Sequence, residues 1–184
     1  GNDNYSEVSV SGGLPYLYPE FESKWLVVGS LDESGGASSF SNRCGVAADF
    51  CLFAPGSDIK SVKNTGGYTL MSGTSMASPI VSGVAALVME AFPYLTAEQI
   101  KTVMLTTATD LGASGVDVIF GWGLVNAGKA VNGFNSFTSD GVEITDHTNS
   151  TWGNDISGSG GLTKKGTGTL TLSGDNTYTG VTNI

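Results

Sequence analysis

The sequence predicts an α/β layered domain with a mainly parallel sheet, ending near residue 134 and followed by a segment of different character. Three observations carry this reading. Short apolar runs of strand length, bounded by Gly and Pro, alternate with longer segments of helical spacing. The best of the runs are apolar without strict alternation, as expected of strands covered on both faces. Beyond Phe134 the helical spacing stops, and Thr, Ser, Gly and Asn dominate.

Taken in order, residues 3–20 are turn-rich, with Gly12-Gly13, Pro15 and Pro19. Trp25-Leu-Val-Val-Gly29 is an apolar run of strand length, and Ala47 to Ala54 reads the same way, closed by Pro55-Gly56. Asp58 to Val62 alternates with a period of two, and Gly66-Gly67 then turns the chain into Tyr68-Thr-Leu-Met71. Ser75 to Phe92 carries a single charge, Glu90, and is apolar or small on all sides, which predicts a buried core helix. Pro79 falls in its opening turns, where a missing N–H matters least. Thr96-Ala-Glu-Gln99 is a capping-box pattern. Ile100, Val103 and Met104 then share one helix face, and Val125 to Val131 predicts a last short helix.

The string Leu70-Met-Ser-Gly-Thr-Ser-Met-Ala-Ser-Pro79 places Ser75 at a strand-to-helix junction among small residues. Gly73 leaves room for another backbone, and the first helical turn offers unpaired N–H groups to a developing negative charge. Thr74 and Met76 read as packing residues that fix the turn. Gly73-Thr-Ser75-Met-Ala-Ser-Pro79 resembles, residue for residue, the nucleophile motif of the subtilisin-like serine proteases. The resemblance extends outward. Gly1-Asn2 looks like the end of that family's Ala-Ala-Gly-Asn strand, whose asparagine lines the oxyanion hole. Tyr18-Pro19, Trp25 to Ser30, Phe40-Ser-Asn42, Ala54-Pro-Gly56, Gly121-Trp-Gly123 and Val125-Asn-Ala127 resemble the family's further landmarks in order. The match runs over roughly residues 1–131. It implies Ser75 as nucleophile, Asn2 as oxyanion donor and a cis peptide at Tyr18-Pro19, with Gly12-Gly13 bordering the pocket for the side chain before the cleaved bond.

In this family the triad runs Asp, His, Ser along the chain. The resemblance therefore places the Asp and His before Gly1, and the chain is expected to be a piece of a longer protein, inactive alone because Ser75 lacks its base. A rival order, Ser75, then Asp110 or Asp117, then His147, would suit an α/β-hydrolase. His147 is the only histidine and lies in the polar stretch Asp146-His-Thr-Asn-Ser-Thr151, which reads as a surface position.

Eight Lys and Arg against 17 Asp and Glu give a formal charge of −9, which argues against nucleic acid and anionic membranes as partners. No apolar run is expected to approach the roughly 18–20 residues that span a bilayer; the longest, around Ile80 to Met89, is interrupted by Ser82 and Gly83 and belongs to the core helix. Cys44 and Cys51 are close enough in sequence for a turn between short strands to pair them, and they are expected to form a disulfide in a secreted protein; two buried reduced thiols are the alternative. Nothing in the chemistry requires a cofactor. Asp146, Asn149, Asn154 and Asp155 lack calcium-ligand spacing and read as a solvated loop, although the resemblance allows structural calcium in the full protein.

In residues 161–184, Leu170 and Leu172 alternate with threonines, Asn and Gly supply a turn, and Val181 starts another rung. This segment resembles the autotransporter-associated β-strand repeat of passenger domains that form right-handed β-helices, and further rungs are expected to follow. The combined reading divides the chain into 1–134, the C-terminal part of a subtilisin-like domain, and 135–184, a linker and the first rungs of a β-helix. The resemblance implies a serine endopeptidase of a Gram-negative surface or secretion route, acting on protein or peptide substrates and followed by a C-terminal outer-membrane barrel. The alternative is an adhesin or display protein with a degenerate protease domain.

Overall fold

The computed structural model describes residues 1–184 as two compact units: residues 1–83 with 108–125, and residues 84–107 with 126–184. In the first unit a short helix, α1 (Leu14–Leu17), and a 3-10 helix (Pro19–Lys24) lead into strand β1 (Val27–Leu31). Pro19 opens the 3-10 helix, and every peptide bond is trans, so the cis bond expected at Tyr18-Pro19 is not formed. Strand β2 (Cys51–Pro55) pairs in parallel with β1, Val27 opposite Cys51 through Leu31 opposite Pro55. Leu124 extends the parallel pairing beside Phe53. Phe53, Leu31 and the Cys44–Cys51 disulfide form a buried cluster packed by Val27, Phe120 and Leu124.

The run from Ala47 is not a strand throughout. Gly45–Phe50 coils into a 3-10 helix, starting from a left-handed Gly45 (φ 51°), and only Cys51 begins extended structure. The disulfide explains the difference. Its two Cα atoms stand 5.9 Å apart, so the intervening residues must coil. For a loop this short the chain-entropy gain is about 2 kcal/mol.

β3 (Ile59–Val62) and β4 (Tyr68–Met71) form an antiparallel hairpin that delivers the chain to α2 (Thr74–Ala91). Only Ala77, Val81, Val84 and Val88 of α2 are buried, a single stripe at helical spacing. Leu87 and Met89 remain 47% and 56% exposed, so the core-helix expectation holds for one face only. By length and composition α2 could also cross a membrane. This differs from the sequence reading, because the Ser, Gly and Thr residues that interrupt the apolar run leave the helix as a whole apolar enough to qualify.

In the second unit α3 (Ala97–Thr106) starts from the expected capping box. The Thr96 hydroxyl accepts from Gln99 N–H, and the Gln99 side chain accepts from Thr96 N–H. α4 (Ala127–Ala130) follows, its first turn capped by the Asn126 side chain. The remaining strands are short and all pair in parallel. β5 (Ser136–Phe137) pairs with β8 (Ser157–Gly158), and β7 (Ser150–Trp152) with β10 (Leu170–Leu172). β6 (Val142–Thr145), β9 (Leu162–Lys165) and β11 (Thr182–Asn183) form one three-stranded sheet. Val142 faces Leu162, and Leu162 faces Thr182, a repeat of twenty residues. Val142 and Ile144 point inward while Glu143 and Thr145 point out. Phe134, Phe137 and Trp152 pack edge-on or tilted beneath them, with ring centroids 4.9–6.2 Å apart.

Successive turns of this stack touch backbone to backbone. A Cβ at Gly168 would strike the Thr148 carbonyl oxygen. A directed chain of hydrogen bonds ties the stack to the turn before α3. Trp152 Nε1 donates to the Tyr94 hydroxyl, which donates to Ser150 Oγ, which donates to the buried Asp146 carboxylate. Burial alone would push the Asp146 pKa up. The Thr148 N–H, the Ser150 and Thr148 hydroxyls and the Lys164 charge together outweigh it and hold the pKa below the usual aspartate value.

Two outcomes follow for this unit. Gly168→Ala should destabilise it by about 1–3 kcal/mol through backbone overpacking, read as a lower urea midpoint at unchanged slope. Because the folded-state pKa of Asp146 is depressed, its stabilisation is complete above the unfolded value and lost as pH falls through the folded one. Acid denaturation below about pH 4 should therefore be blunted in Asp146→Asn, which is also less stable at neutral pH.

Candidate active site

Three separate segments of the first unit converge at Ser75. The hairpin β3–β4 brings Ser72 and Gly73 to the start of α2, where Gly73 N–H donates to Gly56 O at 2.7 Å. Gly56 N–H in turn donates to Leu31 O at 3.0 Å, so the Ala54-Pro-Gly56 turn links the end of β1 to the helix start. The tight approach falls on Gly56 and not, as expected, on Gly73. A Cβ at Gly56 would stand 2.8 Å from Gly73 O and collide with Ser30 Oγ, whereas one at Gly73 would meet nothing closer than 3.5 Å. Ser30, Ser38 and Ser57 join their hydroxyls around this turn at 2.8 Å each.

Asn2 enters from the other side. Its Oδ1 accepts from Thr74 N–H at 2.9 Å and from the Thr74 hydroxyl at 3.1 Å. That pairing turns Nδ2 toward Gly73, whose missing Cβ would lie 3.5 Å from it. Nδ2 has no hydrogen-bond partner within the chain and is a free donor beside the turn that leads to Ser75. Ser75 is exposed, and its N–H lies in the first turn of α2, where no helical carbonyl precedes it. A serine hydroxyl, an amide donor and a free backbone donor thus occupy one small region.

A cavity of about 620 Å³ opens beside Ser75, lined by Gly1, Gly12, Asn42, Thr74, Ser75 and Ser78 among others. Gly12 borders it as expected; Gly13 does not, and packs against Val8. The one ionisable side chain on the cavity wall is Arg43, whose guanidinium donates to Ser41 O at 2.7 Å. A guanidinium cannot accept a proton. No side chain on the wall therefore offers Ser75 a general base.

The rival triad is not assembled in its own surroundings. Asp117 accepts from the N–H groups of Ala113, Ile119 and Phe120, and Asp110 accepts from Gly115 N–H. His147 is exposed, and its ring contact is the Thr167 hydroxyl at 3.4 Å. Of the four residues considered for calcium, Asp146, Asn149 and Asp155 use oxygens in bonds within the stack. Asp146 is occupied as described, Asn149 Oδ1 accepts from Thr169 N–H, and Asp155 Oδ1 accepts from Asp175 N–H. Asn154 uses its amide donors on Lys129 O and Gly133 O. Sequence reasoning left Thr74 without a role, yet it orients Asn2 through both of its donors. A small hydroxyl residue directly before the serine was the only signal of it.

Comparison with known proteins identifies the family of the chain. The sequence profile of the Subtilase family matches residues 1–123, and that of the passenger-associated-transport-repeat matches residues 162–184. An extracellular serine protease of Serratia marcescens is 38% identical, over 98% of this chain and 23% of its own length. The Neisserial autotransporter lipoprotein NalP of Neisseria meningitidis serogroup B is 39% identical, over 100% of this chain and 19% of its own. Among solved structures, the prenylagaramide maturation protease PagA superposes with a TM-score of 0.61 at 32% identity. It covers 72% of this chain and 47% of its own. The patellamide maturation protease PatA gives 0.60 at 30% identity, over 72% and 48%. The chain thus spans about a fifth to a quarter of the length of the curated relatives it matches. With Ser75 at the head of α2, Asn2 held beside it and a parallel β1–β2 pair behind them, the chain belongs to the subtilase family of serine proteases and carries a passenger-associated transport repeat at residues 162–184.

Proposed function

We propose that the protein containing this chain is a secreted or surface-displayed serine endopeptidase that works through an acyl-enzyme on Ser75. The observation that carries the proposal is the contact of Asn2 with Thr74, which brings a free amide donor to the nucleophile turn. Ser75 Oγ attacks the scissile carbonyl as its proton passes to a histidine. The tetrahedral oxyanion accepts from Asn2 Nδ2 and Ser75 N–H. Collapse expels the amine, which takes that proton, and water then hydrolyses the ester by the same steps in reverse order. No side chain on the cavity wall can act as general base toward Ser75. The histidine and its orienting aspartate are therefore assigned to the part of the catalytic domain encoded before Gly1, and the chain alone is inactive. The exposed apolar face of α2, with Leu87 and Met89, offers that part a surface to cover.

The division at about residue 134 separates this machinery from the start of a right-handed β-helix. Support comes from the parallel pairing at a spacing of twenty residues and from a gradient in burial. Ile144, Trp152 and Leu162 are buried, while Leu170 and Leu172 are only partly covered and Val181 is exposed. Relatives whose names include an autotransporter support delivery through a C-terminal outer-membrane barrel, with protein or peptide substrates met outside the cell. A structural calcium elsewhere in the catalytic domain is compatible with this scheme and takes no part in the chemistry.

In the full-length protein, Ser75→Ala should abolish labelling by a fluorophosphonate and all peptidase activity. Persistent labelling would remove Ser75 from the role. Asn2→Ala should lower kcat by about 10²–10³ with little change in KM, the magnitude known for the equivalent donor of subtilisin and not one derived from these distances. A full-length protein that neither labels nor cleaves would favour a display function for the repeat region.

A further inference from the structure

Asn42 is buried, and its polar atoms are spent on the segment that carries Asn2. Asn42 N–H donates to Gly1 O at 3.0 Å. Its Oδ1 accepts from Asp3 N–H at 2.9 Å and from Tyr5 N–H at 3.3 Å, and its Nδ2 donates to Glu7 O at 3.1 Å. The peptide groups on both sides of Asn2 are therefore bonded to one residue. Between the two N–H groups taken by Oδ1 lies Asn4, which is held at φ 53°, a left-handed conformation that needs support from its surroundings. The flanking residues add two backbone bonds, Asn4 N–H to Phe40 O at 2.8 Å and Arg43 N–H to Tyr5 O at 2.9 Å. Gly1 fits only because it has no side chain; a Cβ there would stand 2.6 Å from Asn42 Nδ2.

We propose that Asn42 is a positioning residue for the oxyanion donor: it fixes the backbone of residues 1–7 so that the Asn2 amide points at the nucleophile turn. Thr74 sets the rotation of the Asn2 side chain, and Asn42 sets the place from which that side chain starts. Neither task can replace the other. A shift of the backbone carries Nδ2 away from the oxyanion even with the Thr74 bonds intact. Preorganised donors lose effect steeply with displacement, since about 1 Å of misplacement can cost 10²-fold in rate. The inference rests on the assignment of Asn2 as oxyanion donor.

The test is a double-mutant cycle in the full-length protein, following hydrolysis of a peptide p-nitroanilide that it cleaves. Asn42→Ala should lower kcat by about 10- to 100-fold with KM changed by less than about twofold. Combined with Asn2→Ala, it should cause no further loss, because the donor it positions is already gone. If the alanine protein does not fold, Asn42→Ser replaces it: its hydroxyl cannot span Asp3, Tyr5 and Glu7, and the same pattern is expected. A loss carried by KM, or one that adds in full to Asn2→Ala, overturns the positioning role while leaving the oxyanion assignment intact. An unchanged kcat in Asn2→Ala alone overturns the oxyanion assignment, and the role of Asn42 goes with it.

Discussion

The hydrogen bond from Gly73 N–H to Gly56 O decides where the helix of Ser75 begins. Everything at the site is measured from that bond. On one side it leads through Gly56 to the end of β1, which is paired in register with β2 and backed by the Phe53 cluster. On the other it leads into the first turn of α2, where the donors of Thr74 and Ser75 emerge. A bulkier residue at Gly56 would push the two backbones apart, and the hydroxyl would move with the helix. The chain puts a backbone contact, not a flexible side-chain contact, at the point where position matters most.

The second unit solves a different problem with related means. Its strands are too short to hold a register by themselves, so register comes from glycines that let turns nest and from side-chain amides that bridge one turn to the next. The aromatic group of Phe134, Phe137 and Trp152 fills the interior at the start of the stack. Above it the Trp152, Tyr94, Ser150 and Asp146 chain runs in one donor direction and ends on a carboxylate, so every member is satisfied. Such a network strengthens along its length, and its parts are not independent.

What the sequence disclosed was mostly local. The capping box at Thr96, the strand at Trp25 to Gly29, the turn at Gly66-Gly67 and the pairing of Cys44 with Cys51 depend on near neighbours, and the structure has each of them. Boundaries moved by two residues at β1, as is usual for element ends. What stayed hidden was the use of polar side chains over long separations. Nothing local to Asn42 signals that its amide serves residues 35 to 39 positions earlier, and Thr74 looked like packing. The one-sided burial of α2 was equally unreadable. A helix apolar all round says how much it could bury, whereas its neighbours decide how much it does. The strands of residues 136–158 were missed for another reason: they are two to four residues long and owe their form to the next turn of the stack.

The Cys44–Cys51 bridge closes a ring of very few residues around a single coiled turn. Opening so small a ring would release only the coil between the two cysteines. The ladder of β1 with β2 is held by its own backbone pairing and would keep its register, so a reductant should soften one turn without parting distant segments.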